Sequence, residues 1–396
     1  MIADRIDAIQ ATLAASDLDG WLFVGFQQSD PISLTLLGLN KPGTLVTRRC
    51  YYLVPRSGPA RKLVHALEST MLDHLPGERA AYLTWQENRD ALATLITGCR
   101  RLAAQYSPNN ELPAISRLDA GTAELLRATG VELVPSGDLV QRFAATWSEA
   151  QLAGHRRTCA HLHEIVHAAY ARVGEHLRAD RAVDEYAIQR FILEQMDQRG
   201  LHTESSPIVA VNAHSADPHY QPSAESHSPI AKGDFLLIDL WAKEKADDAV
   251  YADICWNGVC AASPTARQAE VFDAVMRARD AAYDLIASRY PATPVRGYEV
   301  DDAARGVIDA AGYGPQFIHR TGHSIDTADH GQGANMDNLE THDTRLLMAH
   351  TGFSIEPGIY LEGDFGVRSE INVALTPEAA EITGGAPQRA LICLLD

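Results

Sequence analysis

Apolar positions along the chain follow two rhythms, one helical and one strand-like. Ile2, Ile6, Ile9 and Leu13 recur at helical spacing, and residues 17–20 break that helix before an apolar run, 21–24, that predicts a strand. Strand-like runs at 51–54 and 63–64 flank Pro55 and a Ser57-Gly58-Pro59 turn. A helix is expected over 87–104 and another strand over 131–134. Near Trp147 the texture changes. Ser148 is placed to cap a helix that stays apolar at i, i+3, i+4 to residue 177, and a second helix over 183–198 ends at Gly200. Beyond Ser206, strands dominate: 207–211, then a hairpin of 235–241 with 249–256 across a polar connection at 243–248. Helices are expected over 265–290 and 298–311, and two closing strands, 352–361 and 367–375, flank a turn at 362–366. This pattern predicts two domains, 1–147 and 148–396, with no internal repeat.

Composition narrows the function classes. The chain has 396 residues, 46% of them apolar, enough to bury cores that offset the entropy of ordering. A formal charge of −18 repels phosphate backbones, so nucleic acid is not an expected partner. No apolar run reaches the ~18–20 residues of a membrane helix, and Asp4, Arg5 and Asp7 interrupt the stretch a signal peptide would need. Six cysteines without a C-x-x-C pair read as reduced thiols, which points to a cytoplasmic protein.

One motif stands out first. His163-Glu164-Ile165-Val166-His167 fits the His-Glu-x-x-His pattern of zinc proteases, which puts two imidazoles on one helix face. So short a pattern arises by chance in a chain with 16 histidines. A third ligand would have to come from Glu185 or Glu194, and neither lies in a supporting pattern. The segment reads as an ordinary surface helix.

Four acids carry a stronger signal. Asp239 ends the run Phe235-Leu236-Leu237-Ile238, Asp253 lies in Tyr251-Ala252-Asp253-Ile254, Glu356 follows Phe353-Ser354-Ile355, and Glu370 precedes Ile371-Asn372-Val373. A buried carboxylate without a partner is costly, so such groups are paired, hydrogen-bonded or bound to metal. Any one alone reads as a chance acid on a wet strand face; four together do not. Each pair is separated by 14 residues across a predicted hairpin, and a suitable register turns both of its carboxylates to one face. Two facing hairpins would bring four negative charges together, and two divalent cations would nearly neutralise them. Between the hairpins lie His319, His323 and His330, with Gly322 letting the backbone come close beside His323, while His219 sits upstream in Pro218-His219-Tyr220.

The ordered set Pro218-His219-Tyr220, Asp239, Asp253-Ile254, Gly322-His323, His330, Glu356-Pro357-Gly358-Ile359-Tyr360 and Val367-Arg368-Ser369-Glu370 resembles the pita-bread metallopeptidases. That family holds prolidases, aminopeptidase P and methionine aminopeptidase. The resemblance covers residues 150–396, and residues 1–147 look like the N-terminal domain of its prolidase and creatinase branch. It implies an α/β N-terminal domain followed by an α+β pita-bread catalytic domain with a curved antiparallel sheet.

The resemblance also implies roles. Asp239 would chelate one metal, Asp253 and Glu370 would bridge two, and His323 and Glu356 would hold the second. His219 and His330 match histidines that contact the substrate and the tetrahedral intermediate, and His319 matches one lining the substrate pocket. Arg368 matches an arginine supporting the site, and two residues before Glu370 on one strand it would point to the same side. Glu356 would also shuttle a proton to the leaving nitrogen. Mostly carboxylate ligands with one imidazole suit two Mn²⁺ ions, with Zn²⁺ or Co²⁺ left open. The implied activity is hydrolysis of Xaa-Pro dipeptides, as in a prolidase, by a homodimer whose N-terminal domain covers the partner's site. An Xaa-Pro aminopeptidase acting on longer peptides, a metal-free creatinase-like amidinohydrolase, a metal-dependent lyase and a non-catalytic binding protein stay open. Cys255, Ser324, Asp326 and Gly331 depart from the common pattern without removing a ligand.

Overall fold

Strand β1 (Gly20–Gly25) is buried at every position, which requires neighbours on both edges and both faces. In the computed structural model, which describes residues 2–41 and 43–395, those neighbours are β2 (Cys50–Pro55), antiparallel, and β5 (Arg101–Ala104), parallel. Met1, Pro42 and Asp396 lie outside the described residues. With β3 (Arg61–His65), β4 (Glu78–Tyr82) and β6 (Glu132–Pro135) they form a six-stranded mixed sheet, ordered β4-β3-β2-β1-β5-β6. Helix α1 (Ile6–Ala14) precedes β1, and α2 (Pro31–Leu36), α3 (Trp85–Leu95) and α4 (Ala120–Ala128) connect strands of the sheet. The helix expected over 87–104 is therefore too long. Thr84 and Glu87 cap α3 reciprocally, but it stops at Leu95. Gly98, at φ +90°, then turns the chain, and Leu102, Ala103 and Ala104 are buried in the sheet.

The chain divides into two compact units, Met1–Val140 and Gln141–Asp396. Helix α5 (Gly137–Ala144) spans the division. In the second unit, Ser148 and Gln151 form the capping box that starts α6 (Glu149–Arg178), a device whose loss costs about 1 kcal/mol. Asp184 caps α7 (Glu185–Gln198), Thr265 and Gln268 cap α8 (Ala266–Arg289), and α9 (Gly297–Ala310) follows. Strands β7 (Leu201–His202), β8 (Ile208–Val211), β9 (Phe235–Glu244), β10 (Ala252–Val259) and β17 (Ile392–Cys393) make a five-stranded sheet. Alternation along β9 splits its side chains between two cores. Leu236, Ile238 and Leu240 pack with the α6 and α7 side chains, while Phe235 and Leu237 pack with those of α8 and α9.

The closing ribbon differs from its sequence reading. Each expected strand is split in two. Strands β12 (Gly352–Ile355) and β15 (Ile371–Leu375) pair within a four-stranded sheet that includes β11 (Ser324–Ile325) and β16 (Ala380–Thr383). Strands β13 (Gly358–Leu361) and β14 (Phe365–Arg368) form a separate hairpin. The register runs unbroken across the gap, from Ile355 opposite Ile371 to Gly358 opposite Arg368, so Glu356 falls opposite Glu370. Among the described residues no helix is long and apolar enough to cross a membrane.

Candidate metal centre

On β9 and β10, Asp239 lies opposite Cys255 and Asp253 opposite Trp241, so the two acids are diagonal neighbours on one face. It is the face of Phe235 and Leu237, and both aspartates are buried. Asn372 of β15 clamps the Asp253 backbone, its Oδ1 accepting from the Asp253 N–H at 3.0 Å and its Nδ2 donating to the Asp253 carbonyl.

The ribbon opens where its two glutamates face each other. The Glu356 N–H donates to the Thr321 carbonyl at 2.7 Å, and the Glu370 N–H to the Cys255 carbonyl at 3.3 Å. Pro357 has no N–H to give. The break thus ties the ribbon to β10 and to the segment carrying His323. Arg368 and Glu370 consequently do not share one strand, as the sequence suggested: Arg368 ends β14 and Glu370 sits in the break. The Arg368 guanidinium instead binds the Asp239 carboxylate and lies 3.9 Å from Glu356 Oε2.

His323 enters from a segment pressed against β12. Gly322 has no room for a side chain, since a Cβ there would lie 2.0 Å from the Ser354 carbonyl oxygen. The His323 N–H donates to Ser354 Oγ at 3.0 Å, and that hydroxyl donates to Glu356 Oε1 at 3.0 Å. Nδ1 of His323 faces the Ser324 carbonyl at 3.2 Å, which leaves Nε2 toward the acids, 3.3 Å from Glu356 Oε1 and 3.7 Å from Asp253 Oδ2. Ligand atoms of Asp253, His323 and Glu370 lie within 4.8 Å of one another, all three residues buried.

Three observations show that these residues fit divalent cations. Buried oxygens of Asp239 (Oδ1), Asp253 (Oδ1) and Glu370 (Oε1) accept no hydrogen bond, although buried polar atoms are almost always satisfied. Burial, reinforced by neighbouring carboxylates, pushes the Asp253 and Glu370 carboxyls well above the usual range. Burial also raises Asp239, against the opposing pull of Arg368. A bound cation supplies the positive charge that such a set lacks, and with it the usual logic of burial is inverted.

The other sequence candidates surround this cluster. His319 is half-buried, its Nε2 2.7 Å from the Tyr360 hydroxyl, which also accepts from Arg368 Nη1 at 3.0 Å. Burial pushes the His319 imidazole down to about 4. His330 is exposed, with its ring centroid 4.3 Å from that of His323. His219 is exposed on the loop after Pro218, whose carbonyl lies 3.5 Å from Arg368 Nη1. Sequence reasoning missed the supporting residues Ser354, Tyr360 and Asn372, whose partners are visible only in three dimensions. It also gave no role to Asp329, whose carboxyl lies within 4.8 Å of His323 and His330 nitrogens.

A sequence profile of metallopeptidase family M24 matches residues 157–377, more than half of the chain and every candidate ligand. The chain belongs to this family. A probable dipeptidase, PepE, of Mycobacterium tuberculosis is 27% identical over 310 residues, 78% of this chain and 75% of that protein. An Xaa-Pro dipeptidase of Lactobacillus delbrueckii subsp. lactis is 31% identical over 196 residues, 48% of this chain and 49% of its own. The crystal structure of dipeptidase PepE from Mycobacterium ulcerans superposes with a TM-score of 0.67 at 23% identity, covering 98% of this chain and 97% of its own. The fold of this M24 member is thus the pita-bread fold that its sequence resembles, following an α/β N-terminal unit in the chain.

The His-Glu-x-x-His residues lie elsewhere in this M24 chain. The rings of His163 and His167 pack edge-on against Trp256, at centroid distances of 5.5 and 4.6 Å, and Glu164 lies 3.6 Å from Arg199.

Proposed function

We propose that the chain is a dinuclear metallopeptidase that hydrolyses Xaa-Pro dipeptides. The observation that carries this reading is the meeting of Asp239, Asp253, His323, Glu356 and Glu370 around three buried carboxylate oxygens without hydrogen bonds. In it Asp239, Asp253, His323, Glu356 and Glu370 would hold the ions. Two divalent ions bound there, Mn²⁺ by the donor set, supply Lewis acidity and make a water acidic near neutral pH.

The chain's own groups do the rest. Arg368 pairs with the Asp239 carboxylate and opposes the rise that burial imposes on it. His219 and His330 are the imidazoles available to an oxyanion developing on the scissile carbonyl. Glu356, oriented by Ser354, carries a proton to the leaving nitrogen. His319, uncharged at neutral pH and edge-on to Phe317 at 5.3 Å, offers a wall suited to a pyrrolidine ring. A bond to proline has no N–H, so a shaped pocket can select it with few hydrogen bonds. The names of the mycobacterial and Lactobacillus relatives support the dipeptide and proline preferences.

The test is metal analysis joined to a peptide panel. Chelated protein is expected to lose activity and to regain it with Mn²⁺, at two ions per chain, cleaving Ala-Pro but not a tripeptide with proline second. Good tripeptide turnover with little on Ala-Pro would make it an aminopeptidase, and activity surviving exhaustive chelation would end the metal reading. The same reading expects a cytoplasmic homodimer, seen in sedimentation as twice the chain mass.

A further inference from the structure

Glu185 opens helix α7 and is fully buried, yet it touches none of the candidate ligands. Its carboxylate is the meeting point of four donors. Oε1 accepts from the Val211 N–H at 2.8 Å and faces His214 Nδ1 at 2.9 Å; Oε2 accepts from the Tyr220 hydroxyl and the Ser228 N–H, both at 2.6 Å. The Glu185 N–H in turn donates to the Ser228 carbonyl at 3.1 Å.

One donor, Val211, is the last residue of β8, and the other three belong to one excursion of the chain, residues 212–228, between β8 and β9. Apart from a short 3₁₀ turn at Asn212–Ala216 it has no regular structure of its own. His219 sits inside it. Two of the donors brace each other, since the His214 ring stacks on Tyr220 at 4.1 Å. A second anchor ties the excursion to β14, where the Gly366 N–H donates to Ser215 Oγ at 2.8 Å. The chain is therefore held on both sides of His219: at Pro218 through its carbonyl by Arg368, and at Tyr220 through its side-chain hydroxyl by Glu185. The imidazole between them is exposed.

Only a carboxylate suits this place. Its two oxygens offer about four lone-pair sites, whereas glutamine would present an NH₂ to two of the donors.

We infer that Glu185 is a positioning residue for His219, fixing the excursion so that the imidazole meets the substrate at one place. The inference rests on the role proposed for His219. It predicts that Glu185→Gln lowers kcat/KM by up to about 100-fold, the cost of a catalytic group misplaced by about 1 Å, with metal content unchanged. The deciding measurement is a double-mutant cycle with His219→Ala, run on whichever dipeptide the wild type cleaves. The loss from Glu185→Gln is expected to vanish in the His219→Ala background; an equal loss in both backgrounds would overturn the inference. If His219→Ala alone cost nothing, the inference would fall, while continued metal-dependent hydrolysis would leave the peptidase reading standing. Independently of activity, amide exchange over 211–228 should quicken in Glu185→Gln, and unchanged exchange there would also overturn it. Should Glu185→Gln not fold, Tyr220→Phe removes one donor, and the same cycle and exchange measurement decide, with a smaller expected effect.

Discussion

On helix α6, His163, Glu164 and His167 come from five consecutive residues, whereas the candidate metal ligands come from β9, β10, the His323 segment and two facing breaks in a ribbon. The local group has partners already. Its imidazoles rest on Trp256, and its carboxylate is largely in water near Arg199. In the dispersed group, packing has removed water from several carboxylates and left three oxygens without a donor. Spacing alone does not make a cation site. Buried charge with unused hydrogen-bonding capacity does, because its cost must be offset from outside the protein.

The largest test of this contrast is Asp253→Asn. Loss of this ligand is expected to remove metal and to cut hydrolysis by at least about 10³-fold, while the double variant His163→Ala/His167→Ala keeps both. Metal analysis and steady-state kinetics on the two proteins decide it, and metal lost only from the α6 variant would reverse the contrast. Next comes Glu356→Gln, expected to lower kcat by roughly 10²–10⁴-fold with little change in KM, as removal of a proton carrier does. Intact turnover would exclude that role.

Another α6 histidine is buried with no carboxylate among its hydrogen-bond partners. His155 is fully enclosed between the Tyr251 carbonyl, 2.6 Å from Nδ1, and Thr383 Oγ1, 2.7 Å from Nε2. Burial pushes its imidazole down to about 4. The folded state then holds fewer protons than the unfolded state between pH 4 and the ordinary value of 6.5. This contribution is complete above pH 6.5 and is lost as pH falls toward 4, on the order of 3 kcal/mol in all. Urea unfolding at pH 7 and pH 5 should show a steeper loss for wild type than for His155→Gln; equal slopes would refute it. The smallest effect is expected from Glu164→Gln. A solvated carboxylate near Arg199 should change stability by less than about 0.5 kcal/mol, and dipeptide hydrolysis not at all.

The helices of the second unit were readable because their signals are local. Ser148 with Gln151 and Thr265 with Gln268 act across three residues, and the apolar stripe of α6 needs only the helical period. The acids of the candidate site were readable for a related reason. Asp239 and Asp253 stand out against apolar neighbours whatever the fold, and the hairpin pairing that joins them follows from alternation. Where local signals ran on too far, as at 87–104, they misled, because the strand at Arg101–Ala104 exists only through its pairing with β1 and β6.

Which residues carry charge into apolar surroundings, and which segments coil or extend, follows from neighbours a few positions away in the chain. Tertiary structure alone decided that the ribbon breaks opposite itself at Glu356 and Glu370, that Arg368 turns to Asp239, and that Glu185 gathers the His219 loop. Each of these rests on donors and acceptors far apart in sequence, such as the Glu356 N–H on Thr321 or the Glu370 N–H on Cys255. Backbone groups must be satisfied wherever packing puts them, and no local pattern records which distant partner will do so.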